Sequence, residues 1–158
     1  MKRRFFPSRP LCAAILALAL AAPGSAALAQ VPLSIATTDA RAAINAFRDA
    51  ARLSRLDNDP GLMALATQQA IAMAASGTMS HTVAGTLQDR LAAGGYRIRS
   101  AAENIGYGQP TLDVVLGSWM QSAPHRANIL DQRMTEFGVG AATVNGVTYW
   151  ALILATPR

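Results

Sequence analysis

The amino-acid sequence predicts an α+β fold, a three-layer α-β-α sandwich around a small antiparallel sheet. Along most of the chain, apolar residues recur at helical spacing, whereas the C-terminal part changes to the alternating spacing of strands. The last strand-like segment, residues 147–154, is apolar on both of its faces. Because a strand that is buried on both faces must be covered on each side, helices are expected above and below the sheet.

The first helix is expected to begin after Thr38 or Asp39, since either side chain can cap its free amide groups. Its buried face is predicted from apolar residues at helical spacing: Ala40, Ile44, Phe47 and Ala51. Its exposed face is predicted from the intervening arginines: Arg41, Arg48 and Arg52.

Four further helices are predicted. The second begins at Asp59-Pro60 and ends at Gly77, because aspartate caps free amides, proline suits the first turn and glycine ends helices. The third spans about residues 85–93, the fourth carries Trp119 on its apolar stripe, and a short fifth helix follows Pro124. Trp119, Trp150 and Met73 are expected in the core.

A β-hairpin is the strongest strand signal. Two apolar segments, 137–144 and 147–155, are separated only by Asn145-Gly146, a pair that tolerates the positive φ angles of a type I′ turn. Gly138 and Gly140 leave one strand face bare, so another backbone is expected to approach closely there. Alternation in residues 96–99 predicts a third strand.

The N-terminal segment, residues 1–29, is predicted to be a secretory signal peptide. A basic start precedes a run of 12 apolar residues and then Ala27-Leu28-Ala29, the small-x-small pattern of a cleavage site. Spanning a bilayer takes about 20 residues, so no retained membrane span is expected. Arg3-Arg4 leaves the general and the twin-arginine export routes both open. Residues 30–38 are predicted to be a lead-in segment and residues 39–158 the folded domain.

Composition and charge exclude several classes of protein. Hydrophobic residues are 51% and charged residues 15% of 158, which argues against a disordered or fibrous chain. The net charge of +5 depends on four basic residues in the predicted signal peptide, since without them 10 basic residues face 9 acidic ones. No basic stripe is left for nucleic acid. Cys12 and the one lysine also lie in the signal peptide, which excludes thiol nucleophiles, Schiff-base lysines and cysteine zinc clusters from the mature chain.

The remaining groups suited to chemistry are two histidines and two glutamates. His81 is expected on the loop after the second helix, and Glu103 in a glycine-containing segment. His125 is expected near the start of the short helix, where the helix dipole should keep its ring neutral. Glu136 is expected to be a solvated residue at a strand edge. The spacing of these residues does not show whether they converge.

Six segments, taken in this order, resemble the CAP superfamily (cysteine-rich secretory, antigen 5 and pathogenesis-related 1 proteins), and most closely its short cysteine-free bacterial branch. The segments are residues 56–62, 80–81, 90–96, 101–108, 119–130 and 137–140. The resemblance covers about residues 40–154. It implies an α-β-α sandwich with a cleft lined by two histidines and two acidic residues, which holds a divalent metal in several members.

Carried over residue by residue, the resemblance implies that His81, Glu103 and His125 are the metal ligands, for Zn²⁺ or another divalent cation. Ser122 stands where the eukaryotic pattern has the second glutamate. Three ligands and a water suffice for zinc, but a lost carboxylate should weaken its affinity. Ser122 and Asn104 are expected to line the cleft, with Asn104 or Asn128 orienting the imidazoles. Ser122 is also expected to cap the short helix.

The function expected from these features is that of an exported binding or interaction module, secreted or periplasmic and monomeric. Its partner would be an extracellular ligand or protein that the sequence does not identify. Catalytic residues are not assigned, and an enzyme is less favoured than a binding module. Arg126 is expected either to meet an anionic ligand or to pair with Asp131.

Two alternatives stay open. A hydrolase would use either a zinc-activated water with Glu103, or Ser122 as nucleophile with His125 as base and Glu103 as its orienting group. A lipid or sterol binder is the other alternative. Its soft contacts would be methionines, namely Met63, Met73 and Met79.

Overall fold

A computed structural model describes residues 31–32 and 37–158. The predicted signal peptide and part of the predicted lead-in segment lie outside these residues. The helices are α1 (Thr37–Ala50), α2 (Pro60–Ser76), α3 (Leu87–Ala93), α4 (Leu112–Gln121) and α5 (Ala123–Ile129). The strands are β1 (Val31–Pro32), β2 (Asp57–Asn58), β3 (Ile98–Tyr107), β4 (Glu136–Val144) and β5 (Val147–Pro157). In this part of the chain, every helix is too short or too polar to cross a membrane.

The sheet has the strand order β1-β4-β5-β3, and β2 pairs with β4 in parallel. The central strand β5 is antiparallel to both of its neighbours. Alternate residues of β5 enter different cores: Trp150 and Leu152 pack with α1, α4 and α5, whereas Ala151 and Ile153 pack with α2 and α3. This confirms the predicted α-β-α sandwich and its physical basis, a strand that is buried on both faces.

Helix α2 lies directly on the bare face of β4. A Cβ atom on Gly138 would lie 2.2 Å from the carbonyl carbon of Leu62, and one on Gly140 would lie 2.3 Å from the amide nitrogen of Thr67. Only glycine permits this approach, so the close backbone contact predicted at these two glycines is confirmed.

The predicted caps of α2 and the predicted turn between the last two strands are also confirmed. The Asp59 carboxylate accepts a hydrogen bond of 2.8 Å from the Leu62 amide and caps α2, which ends at Gly77 with φ of 63°. Asn145 and Gly146 both have positive φ, as a type I′ turn requires. Helix α3 begins two residues later than expected, because Thr86 and Asp89 form a capping box after Gly85.

The predicted exposed face of α1 is wrong at Arg48, which is fully buried. Its guanidinium donates hydrogen bonds to four backbone oxygens, those of Ser54, Ile129, Asp131 and Met134. Three of these carbonyls lie at or just beyond the C-terminal end of α5, more than 80 residues away, so the helical spacing within α1 gave no sign of them. Ala51 lies beyond the end of α1 and is exposed.

The third strand is longer than predicted. Strand β3 begins at Ile98, two residues later than predicted, and runs on to Tyr107, paired with β5. The polar residues Glu103 and Asn104 interrupt the apolar pattern from which a strand is predicted. The strand forms because its partner β5 supplies the backbone hydrogen bonds, and this pairing cannot be seen in the local sequence. Glu103 and Asn104 therefore lie on a strand at one end of the strand order.

Candidate functional site

The site is built across β3. Side chains alternate between the two faces of a strand, and here Glu103 points to the α2–α3 layer while Asn104 points to the α4–α5 layer. Both side chains are buried. Since β3 lies at the end of the sheet, groups from both layers can meet beside it. His81 and His125 are held in opposite layers of the sandwich, near enough for the charge of His81 to act on His125.

On one side, Glu103 joins His81 to Arg90. One carboxylate oxygen, Oε1, is 2.8 Å from His81 Nδ1, and the other, Oε2, accepts a hydrogen bond of 2.6 Å from Arg90. Arg90 and Glu103 are almost completely buried, whereas the His81 side chain is 55% exposed. A buried ion pair therefore holds the inner end of an imidazole whose outer end faces solvent.

Two buried side chains, one from α2 and one from α3, bind the backbone of the loop that carries His81. Gln69 of α2 donates a hydrogen bond of 2.7 Å to the Ser80 carbonyl oxygen. Arg90 of α3 donates to the carbonyl oxygens of His81 and Gly85, both at 3.3 Å. These bonds fix the loop backbone, so the His81 ring has a defined position.

On the other side, His125 is held through Ser122 and two asparagines. His125 Nδ1 is 2.9 Å from Ser122 Oγ. Asn104 donates to the His125 carbonyl oxygen at 3.0 Å and accepts from Asn128 at 2.8 Å, which ties α5 to β3. Ser122 occupies the predicted N-cap position of α5, but its side chain makes no capping hydrogen bond because it is engaged with His125.

The two imidazoles influence each other electrostatically. Partial burial lowers the pKa of His125, and the charge of His81 lowers this pKa further. A lowered pKa agrees with the prediction that the His125 ring is neutral. Its causes are desolvation and a nearby like charge, whereas the prediction relied on the helix dipole. Among the described residues, the second ring nitrogen of His81 and that of His125 have no hydrogen-bond partner.

A shallow cavity of about 310 Å³ adjoins His125. Its lining is mostly apolar and comprises Met79, Ile105, Gly106, Tyr107, Gln109, Ser118, Trp119, Ser122 and His125. Met79 and Tyr107 are about half exposed, whereas Trp119 is buried and donates its indole N–H to the Ile105 carbonyl oxygen. The cavity thus offers mostly apolar walls, with the His125 imidazole, the Gln109 amide and the hydroxyl-bearing residues Tyr107, Ser118 and Ser122 in its lining.

The contacts fit a three-ligand metal site poorly. In residues 31–32 and 37–158, no group of three or more His, Cys, Asp or Glu side chains comes together in a way that could hold a metal ion. Both oxygens of Glu103 are already engaged, and one of them pairs with the buried cation of Arg90. Metal binding by His81, Glu103 and His125 stays a prediction.

Only two of the three residues of the predicted serine triad are in contact. Ser122 and His125 are in contact, as this hypothesis needs. Glu103, however, is bonded to His81 and Arg90, and it makes no hydrogen bond with His125. His125 also turns Nδ1 toward Ser122, so this nitrogen is not available to an orienting carboxylate.

Sequence reasoning missed Arg90, Tyr107 and Gln109 as site residues. Arg90 lies in one of the family-like segments, but its spacing from Glu103 carries no sign of contact, because α3 and β3 meet only in the folded chain. Arg126 does not pair with Asp131: it donates to the Met120 carbonyl oxygen, while Asp131 binds Arg133.

Glu136 is not the solvated residue that was predicted. It is partly buried in β4, between β2 and β5. Burial raises the pKa of Glu136, and the nearby carboxylates of Asp59 and Asp57 raise it further. The predicted core positions of Trp119, Trp150 and Met73 are confirmed.

The fold and the site define a class of protein, an α-β-α sandwich domain with an apolar cavity at His125, beside the strand β3 at the end of its sheet. Residues 41–154 match the CAP family, described as the cysteine-rich secretory protein family, and the chain belongs to this family. The protein YkwD of Bacillus subtilis, described as uncharacterized, is 41% identical over 56 residues, which cover 35% of this chain and 22% of YkwD.

Two solved structures illustrate the likeness. An extracellular protein of Bacillus anthracis that contains an SCP domain has a TM-score of 0.69 and 26% identity, over 75% of this chain and 39% of that one. An outer surface protein of Borrelia burgdorferi has a TM-score of 0.72 and 19% identity, over 81% of this chain and 100% of that one. The second likeness concerns the fold alone. This chain spans well under half the length of YkwD and of the Bacillus anthracis chain.

Proposed function

We propose that this chain is an exported binding module whose cleft takes a small organic ligand with an apolar body and an uncharged polar end. The observation that carries the proposal is the position of His125. Its ring lies at the edge of an apolar cavity, Ser122 occupies Nδ1, and Nε2 is its remaining polar atom. Because the pKa of His125 is lowered, the ring is a neutral hydrogen-bonding group at neutral pH.

Apolar walls with a few well-placed polar groups are typical of small-molecule sites. Met79 and Tyr107 supply exposed apolar surface beside His125, and Gln109 adds an amide group. Export is supported by the predicted signal peptide and by the description of the similar Bacillus anthracis protein as extracellular. We propose secretion or a periplasmic location, a monomer, and an extracellular ligand or protein as partner.

The hydrolase hypothesis has less support. Its serine version needs Glu103 as the partner of His125, and Glu103 is held by His81 and Arg90. Its metal version needs a carboxylate that is free to bind the ion or to take a proton. The contacts of Glu103 favour binding over turnover.

The test uses 4-ethylphenol, a probe with an apolar body and a hydroxyl end. Titration of the ¹⁵N-labelled protein should shift the amide signals of Tyr107 and Gln109 and the indole signal of Trp119. His125→Ala should weaken binding about fivefold, since one hydrogen bond contributes about 1 kcal/mol. The control is Gln88→Ala, an exposed change on α3 outside the cavity.

Equal affinity in His125→Ala and Gln88→Ala, or shifts that map away from the cavity, would contradict the proposal. Two further titrations address the other candidates. If zinc binds the protein and the His81→Ala/His125→Ala double variant equally, the metal is not held by the histidines. If a labelled sterol binds with no shift at Trp119, lipid binding takes place elsewhere.

A further inference from the structure

A second cavity adjoins the one at His125. This tyrosine cavity has a volume of about 400 Å³ and lies between the C-terminal turn of α2 and the hairpin of β4 and β5. Tyr107 lines both cavities. The loop after α2 also borders both, since Gly77 lines the tyrosine cavity and Met79 lines the cavity at His125. The two cavities therefore form one surface that is joined at Tyr107.

Two aromatic rings in contact line the tyrosine cavity. The rings of Tyr107 and Tyr149 meet edge to face, with their centroids 4.9 Å apart and their planes at 64°. Tyr149 is 4% exposed, whereas Tyr107 is 51% exposed. The buried ring thus supports the exposed one, which offers its flat surface to a ligand. Because the face of an aromatic ring is electron-rich, it attracts C–H groups that carry a partial positive charge.

The polar groups of the tyrosine cavity are neutral. The Tyr149 hydroxyl and the Asn145 amide have no hydrogen-bond partner among the described residues, and the Ser76 hydroxyl also belongs to the lining. Burial raises the pKa of Tyr149, so its hydroxyl keeps its proton and can donate. The C-terminal turn of α2 adds carbonyl oxygens, which the ends of helices leave free to accept hydrogen bonds. A hydroxyl without a partner on a residue as buried as Tyr149 indicates a place for a polar ligand group.

Formal charges are missing from the walls of both cavities. In residues 31–32 and 37–158, no Asp, Glu, Lys or Arg side chain lines either cavity. A charged ligand group would lose its hydration there without gaining a counter-ion, which is costly. A ring with several hydroxyl groups fits better, because its hydroxyls match the neutral donors and acceptors and its C–H groups match the face of Tyr107.

We propose that the tyrosine cavity is a sugar subsite, which binds an uncharged hexose ring stacked on Tyr107 and hydrogen-bonded to Tyr149 and Asn145. The inference rests on the proposed function and deepens it, since the ligand is then a glycoside whose apolar part lies in the cavity at His125. Tyr107, at the junction of the cavities, contacts both parts of this ligand.

The test compares 4-ethylphenol with the β-D-glucopyranoside of tyrosol, in which a glucose ring is attached at the ethyl end of the same body. All hydroxyl groups of this sugar are equatorial, so both faces of its ring present C–H groups. Both probes should shift the Trp119 indole signal of the ¹⁵N-labelled protein, but only the glucoside should shift the amide signals of Gly77 and Asn145. The glucoside should bind about fivefold more tightly than 4-ethylphenol, which is the gain from one net hydrogen bond.

Two variants remove polar groups from the tyrosine cavity. Tyr149→Phe keeps the buried ring and removes its hydroxyl, whereas Asn145→Gly suits the positive φ of the turn and removes the amide. In each variant the glucoside should lose most of its advantage over 4-ethylphenol, and Gln88→Ala, outside both cavities, should retain it. An unchanged advantage in both variants would overturn the inference. If Tyr149→Phe loses the native Trp119 indole signal, Asn145→Gly decides the matter.

Two further probes test the chemical class of the group in the tyrosine cavity. Tyramine carries an ammonium group in place of the sugar, and the cyclohexyl ether of tyrosol carries an apolar ring of similar size. Both should bind more weakly than the glucoside. If either binds as tightly and shifts the Gly77 and Asn145 amides, the cavity takes a cation or an apolar group, and the assignment to a sugar is wrong.

Methyl β-D-glucopyranoside separates a failure of this inference from a failure of the proposed function. If 4-ethylphenol shifts Trp119 but neither glucoside shifts Gly77 or Asn145, the sugar subsite is refuted and the proposed function stands. If 4-ethylphenol does not bind, but methyl glucoside shifts Gly77 and Asn145 and Tyr149→Phe abolishes these shifts, the subsite stands and the proposed function is refuted.

Discussion

Replacement of Gly138 by alanine tests the packing that places the site. The added Cβ would lie 2.2 Å from both the carbonyl carbon of Leu62 and the amide nitrogen of Met63. Carbon atoms in contact are separated by about 3.5 Å or more, so α2 would have to move away from β4 by about 1 Å. Overpacking costs about 1–3 kcal/mol where side chains can adjust, and here the obstacle is backbone.

We therefore expect Gly138→Ala to lower the free energy of unfolding by about 3 kcal/mol, measured by urea denaturation. For a domain of this size, the melting temperature should fall by roughly 10–15 °C. The matched control is Gly117→Ala in α4, where an added Cβ meets nothing within 4 Å. That change should stabilise the protein by about 0.5–1 kcal/mol, because alanine is the better helix former. If Gly138→Ala costs less than about 1 kcal/mol, the close contact between α2 and β4 does not exist.

Three other predictions concern Arg48, His125 and Asn145. Arg48→Met should lower the free energy of unfolding, measured by denaturant unfolding, by about 3 kcal/mol, because four carbonyl oxygens lose their hydrogen-bond donor. The control is Arg97→Met, at an exposed position, which should change the free energy of unfolding by less than about 0.5 kcal/mol. The pKa of His125 is lower in the folded state than in the unfolded chain, so the unfolded chain binds the proton more tightly and the free energy of unfolding should fall as the pH drops below the pKa of the unfolded chain. His125→Gln should flatten this part of the profile of unfolding free energy against pH. An unchanged profile would contradict the lowered pKa. Asn145 has φ of 51°, so Asn145→Val should lower the melting temperature through about 1–2 kcal/mol of strain, and an unchanged melting temperature would argue against the type I′ turn.

The parts of the fold that depend on local chemistry could be predicted from the sequence. The caps of α2 at Asp59 and Gly77 and the turn at Asn145 are set by residues within a few positions of each other. The bare face of β4 was also predictable, because two alternate glycines leave room for a backbone. These features need no knowledge of distant parts of the chain.

Contacts between distant residues were not predictable in the same way. Arg48 looked like a surface residue because its partners lie at the far end of α5. Glu103 could be named as a site residue from the family resemblance, but its role depends on Arg90, which reaches it from α3. Strand β3 was underestimated for the same reason, since β5 supplies its hydrogen bonds.

His81 and His125 are held in opposite layers of the sandwich, yet the charge of His81 acts on the His125 ring. NMR titration of the His125 ring protons tests it directly. Because the charge of His81 lowers the pKa of His125, His81→Ala should raise the His125 pKa toward the ordinary histidine value, and Gln88→Ala should leave it unchanged. An unaltered His125 pKa in His81→Ala would show that the two rings are too far apart to act on each other.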